Sequence, residues 1–307
     1  MIALTLQREL TLRSPPAPGR ARHVSAASGL VRVGTHLYVV ADDENHLGVF
    51  AVDGHAGGDL LRLVDGSLPD APRERKKHKP DFEALILLPA FDGCPFGALF
   101  ALGSGSKKRR HKGVLVPFDA LLLPLGTPRV IDLSPLHETL ARELDDLNIE
   151  GAAVTEHRLV LLQRGNDGVA GNACIDYALG DFLQALARNP EMAPLAPQAI
   201  HHVELGTRAG VTLGFTDATA LPDGRMLFSA VAERTDNSYL DGECVGAVVG
   251  MLDRNGQVLR LEDVTPGYKL EGITADTTPD GVRFLAVTDA DDAAVPARLV
   301  TGLLPGN

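Results

Sequence analysis

The stretch that decides the fold is Leu270-Glu271-Gly272-Ile273-Thr274-Ala275-Asp276-Thr277-Thr278-Pro279-Asp280-Gly281-Val282-Arg283-Phe284-Leu285-Ala286-Val287. An acid and a glycine open a β-prone run. Pro279-Asp280-Gly281 then supplies a tight turn, and Phe284 to Val287 forms a second run. Two extended runs joined by turn residues make a hairpin.

The pattern occurs five times, starting at Ser28-Gly29-Leu30, Glu83-Ala84-Leu85, Glu150-Gly151-Ala152, Asp217-Ala218-Thr219 and Glu271-Gly272-Ile273. The partner runs are Leu37-Tyr38-Val39-Val40, Ala98-Leu99-Phe100-Ala101, Leu159-Val160-Leu161-Leu162, Met226-Leu227-Phe228-Ser229 and Phe284-Leu285-Ala286-Val287. Starts are separated by 55, 67, 67 and 54 residues, and running from Glu271 through the chain end to Ser28 gives 64. Four short antiparallel strands with their loops fill a unit of that length. The chain therefore reads as all-β: a five-bladed β-propeller with short helical insertions, one domain over 1–307. The strand after Met1 is expected to complete the last blade. Helices are expected over Ser134–Leu147, where Pro135 suits the first turn and Leu136, Leu140, Leu144 and Leu147 share a face, and from Gly180 to Asn189. Pro72 to Pro80 reads as a basic loop.

Composition agrees with this fold. Glycine occurs 32 times and proline 20 times among 307 residues, while aromatic residues are 5 % and tryptophan is absent. The net charge of -11 argues against nucleic acid as a partner. No apolar stretch is long enough for a membrane span. The N-terminus has no basic segment followed by an apolar run, so a cytoplasmic location is expected. Cys94, Cys174 and Cys244 lack any CxxC spacing and read as reduced thiols. His201-His202 lacks a third ligand at zinc spacing and reads as surface or packing. Oligomeric state is not encoded in any motif.

The repeated acid opens the innermost strand of each blade, so Ser28, Glu83, Glu150, Asp217 and Glu271 are expected to converge on the axis. Converging carboxylates repel unless a positive charge neutralises them. Hard oxygen ligands without His or Cys select calcium or a similar hard divalent cation. The loops after each second strand are expected to share one rim around that ion. They carry Asp42-Asp43, Gly103-Ser104-Gly105-Ser106-Lys107-Lys108-Arg109-Arg110, Arg164 to Asn166, Glu233-Arg234 and Asp289.

The repeat starts Ala27-Ser28-Gly29-Leu30, Phe82-Glu83-Ala84, Ile149-Glu150-Gly151-Ala152, Gly214-Phe215-Thr216-Asp217 and Leu270-Glu271-Gly272-Ile273 resemble, blade by blade, those of the soluble calcium-activated nucleotidase (apyrase) family. They are also similar to phytase- and esterase-like propellers. The resemblance implies an axial calcium and a hydrolase acting on a phosphate-bearing small molecule. In that reading Asp42 or Asp43 assists as base, and Ser106, Lys107, Arg109, Arg164, Glu233 and Arg234 bind the substrate. The chain departs from the nucleotidase pattern in the second blade, where the place of a Gly-Lys-Glu-aromatic element reads Gly105-Ser106-Lys107-Lys108-Arg109-Arg110, without the Glu or the aromatic. The alternative expectation is a non-catalytic ligand- or protein-binding propeller whose axial ion is structural.

Overall fold

The computed structural model describes residues 1–165, 171–188, 190–234 and 242–306. Strands form 52 % of the chain and helices 8 %, in a five-bladed β-propeller. Four sheets have four strands, and one has six. The innermost strands are Ala27–Val33, Phe82–Leu88, Ile149–Val154, Val211–Ala220 and Leu270–Thr278. They touch one another in cyclic order around a common axis.

The ring is closed by the first residues of the chain. Thr5–Glu9 pairs antiparallel with Arg298–Pro305 and completes blade 5, as the sequence leads one to expect. Ile2–Ala3 goes further and pairs in parallel with Val258–Thr265 at the outer edge of blade 4. One short segment thus ties two blades together.

Every innermost strand carries a bulge at its start. The register with the second strand slips between Ala27 and Gly29, Phe82 and Ala84, Ile149 and Gly151, Phe215 and Asp217, and Leu270 and Ile273. Bulges re-aim a side chain and strengthen local twist. The re-aimed residues are Ser28, Glu83, Glu150 and Glu271, but in blade 4 the skipped residue is Thr216. Asp217 sits one step further along, paired with Ser229. The blade-4 assignment read from sequence is therefore one residue out of register.

The glycines after the bulges have a steric cause. A Cβ at Gly272 would lie 2.4 Å from Leu30 N, and one at Gly151 would lie 2.7 Å from Asp217 Cα. Neighbouring inner strands approach too closely there for any side chain.

Large apolar side chains fill the spaces between blades, as with Phe100, Tyr177 and Phe182 between blades 2 and 3. Pro72–His78 is a helix, α1, rather than a loop; its cations cluster in the last turn, where they complement the helix dipole. Ser134–Leu140 is α2, shorter than expected. Asp145 and Asp146 would oppose that dipole at a longer helix's end, and Asp146 takes a left-handed backbone with φ 48°. Leu144 and Leu147 are nonetheless buried. Leu179–Leu186 is α3; Asn189, like Asn166, lies outside the described residues. Cys94, Cys174 and Cys244 are free, the first two buried. Among the described residues no helix is long and apolar enough to cross a membrane.

Candidate functional site

At one end of the ring the strand starts and the loops after the second strands enclose a cavity of about 680 Å³. All five blades contribute to its wall, which carries twelve Asp or Glu residues and nine Lys or Arg residues. Among the residues expected there, Ser28, Asp42, Asp43, Glu83, Ser106, Lys107, Glu150, Arg164, Glu233 and Glu271 line it. Three others do not. Arg109 turns aside to donate to the Lys76 carbonyl at 3.3 Å. Arg234 is exposed at the end of its strand, opposite Glu243. Asp217 is buried away from the cavity, its Oδ2 accepting from Ile273 N–H at 2.9 Å. The Asp217 carboxyl thus ties blade 4 to blade 5 instead of lining the cavity.

Sequence reasoning placed Arg164 at this site but missed Lys79, Arg110 and Lys269. Lys269 Nζ lies 2.7 Å from Asp291, 3.5 Å from Glu233 and 3.8 Å from both Glu271 and Asp289. Arg164 reaches Glu233 at 2.6 Å and Glu150 at 3.3 Å. These contacts form one chain of alternating charge across blades 3, 4 and 5. A second chain runs across blades 1 and 2. Lys79 contacts Asp42 and lies 2.9 Å from Asp81, and Arg110 lies 2.7 Å from Asp81 and from Ser106 Oγ. The position expected of Arg109 is taken by its neighbour Arg110. Each of these cations follows or precedes a β-run by one to three residues, a faint signal without the fold.

The acids respond to this environment. Burial, reinforced by Glu150 and Asp81, pushes Glu83 well above the usual carboxylate range, against Lys79 and Arg110. Burial and Glu150 likewise push Glu271 well up, although Lys269 opposes them. Burial and Asp291 push Asp289 up to about 7, and burial with Glu44 pushes Asp43 up to about 6. Burial would lower Lys269, but Glu271, Asp289, Glu233 and Asp291 outweigh it and hold the ammonium charged. Asp43 and Asp289 thus sit in the range suited to proton transfer near neutral pH.

Among the described residues, a hard cation has one compact donor set available. Oxygens of Asp42, Asp81 and Glu83 lie within 4.8 Å of one another. Their chemistry fits calcium or magnesium. Lys79 shares two of these three carboxylates, so an ion and the ammonium compete for the same oxygens.

No curated protein matches the chain. Among solved structures it is similar to the glutaminyl cyclase of Myxococcus xanthus, at 12 % identity and TM-score 0.47, covering 99 % of this chain and 98 % of that one. It is similar to an α-L-arabinofuranosidase of Podospora anserina at 11 % identity and TM-score 0.49, covering 99 % and 97 %. A gluconolactonase of Xanthomonas campestris aligns at 14 % identity and TM-score 0.42, covering 91 % and 72 %. At such identities these are likenesses of fold. Residues 23–304 match one family model, and the chain belongs to that family, the family of unknown function DUF6929.

Proposed function

We propose that the mouth cavity binds a phosphate-bearing small molecule together with a hard divalent cation such as calcium, and hydrolyses it with Asp43 as base. The observation that carries this reading is the delivery of both signs of charge, from all five blades, to one cavity. Asp42, Asp81 and Glu83 would hold the ion, which supplies polarisation of a phosphoryl oxygen. Lys107, Arg110 and Arg164 face the same space and neutralise phosphate oxygens. The Asp43 carboxylate takes a proton from water as the water oxygen bonds to phosphorus. The P–O bond to the leaving group then breaks, and the leaving oxygen takes up a proton. Ser106 and Glu233 orient the cations, Ser106 through Arg110 and Glu233 through Arg164.

One observation favours a second reading. Lys79, Arg164 and Lys269 already neutralise the converging acids, so the ring needs no ion to hold together. A binding propeller without turnover fits that arrangement. Phosphate release from a panel of phosphate esters, with calcium and with chelator, separates the two. Calcium-stimulated release lost in Asp43→Asn supports hydrolysis. Calorimetric binding with no release supports the binding module.

A further inference from the structure

We infer that the ligand of this cavity is recognised through its charged groups alone, so that it is a compact polyphosphate-type anion rather than a nucleotide. The inference rests on the phosphate reading above and narrows it.

Among the described residues, none that lines the cavity is aromatic, and the apolar wall consists of small patches such as Ala26, Val231 and Ala293. A nucleobase is ordinarily held by stacking on an aromatic ring or on a guanidinium plane, together with hydrogen bonds to its edge. Among the described residues, rings near the inner strands are committed elsewhere. Phe215 packs edge-on against Phe228, and Tyr38 against Phe118, inside the blades. Tyr268 precedes Lys269 in the chain, yet one face of its ring lies under the Arg298 guanidinium at 5.2 Å.

Four of the lining guanidinium groups are held in place by carboxylates. Five arginines line the cavity. Arg20 and Arg75 are tied to Glu44 at 2.8 and 2.9 Å, Arg110 to Asp81 at 2.7 Å, and Arg164 to Glu233 at 2.6 Å. Only Arg73, exposed on α1, stands outside these pairs. Among the described residues, the wall offers charge at high density and, Arg73 apart, no unpaired guanidinium and no ring for a base to stack on. Charged oxygens bridged by a divalent cation use such a wall fully; a purine does not.

The test compares two ligands with the same phosphate chain. Tripolyphosphate and ATP are titrated separately into the full chain by calorimetry, each with one equivalent of calcium. A stacked base adds roughly fivefold to more than a hundredfold to affinity. The inference expects tripolyphosphate to bind as tightly as ATP or tighter, and pyrophosphate to bind measurably. ATP binding more than fivefold tighter than tripolyphosphate overturns the inference and leaves the phosphate reading intact. Absence of binding by all three at millimolar concentration overturns both.

Discussion

Arg164 bridges Glu150 of blade 3 and Glu233 of blade 4, at 3.3 and 2.6 Å, with all three side chains at least 86 % buried. A guanidinium shared by two buried carboxylates offsets part of the charge of each, and its removal takes this ion pair from Glu150 and leaves Glu233 to Lys269. Arg164→Met is therefore expected to destabilise the protein by about 3–5 kcal/mol in urea unfolding at pH 7. Arg164→Lys should recover part of that loss. A change below about 1 kcal/mol for Arg164→Met would show that water already screens the pair.

The glycine after the blade-5 bulge gives a steric prediction. Gly272→Ala places a methyl 2.4 Å from Leu30 N, so blades 5 and 1 must part. A fall in thermal midpoint is expected, of a size corresponding to about 1–3 kcal/mol or more. Gly267→Ala has open space around the new methyl and serves as the control.

Asp289 gives a pH prediction whose sign is fixed by its direction of shift. Its carboxyl titrates near 7 in the fold because of burial and Asp291, above the ordinary value near 4. The folded state therefore holds the proton more tightly than the unfolded chain. That contribution is complete below about pH 4 and is lost as the pH rises to about 7. Asp289→Asn should match the parent near pH 4 and exceed it in thermal midpoint at pH 8. A variant less stable than the parent at pH 8 would mean that the Lys269 pairing outweighs burial.

Calcium should raise the thermal midpoint, since an ion that binds only the folded state stabilises it by about 2.7 kcal/mol at a hundredfold excess over Kd. Glu83→Gln should abolish the calcium effect. Lys79→Met should enlarge it, because the competing ammonium is gone. Midpoints unchanged by calcium and by chelator, in the parent and in Lys79→Met, would remove the Asp42–Asp81–Glu83 site.

The two ends of the ring should differ in ligand binding. Arg73→Ala with Lys107→Ala is expected to weaken tripolyphosphate binding about tenfold or more by calorimetry. Arg109→Ala should have little effect, because that side chain points to the Lys76 carbonyl. Arg225→Ala should have none, because Arg225 pairs with Asp223 in a hairpin turn at the opposite end.

The blades were legible because the hairpin pattern repeats at a period that fills the chain, and because turn residues mark it. Ser28, Glu83, Glu150 and Glu271 could be placed because one bulge recurs at one point of each repeat. Phe215-Thr216-Asp217 offers two polar residues for one bulge, and the sequence does not say which is skipped; register decides it. The counter-charges were not legible. Lys269 meets Glu233 from 36 residues away and Arg164 meets it from 69 away, so no local pattern announces either pair. Likewise, Arg109 and Arg110 are indistinguishable until a 3-10 turn at Lys108–Arg110 aims one inward and the other out.

Blade 5 cannot be finished until the two ends of the chain meet. Its outermost strand is residues 5–9, and the strand they join is residues 298–305. Contacts of such separation carry the largest loop-closure cost and form late. During synthesis the first four blades can assemble as each emerges, while the segment at residues 2–9 has no partner for most of that time. Glu271 and Asp289 reach the cavity only with the last blade, so its charge balance is set in the final step of folding. Until then Glu233 and Glu150 have only Arg164 between them, and the open end of the ring exposes an unpaired strand edge to any neighbouring chain.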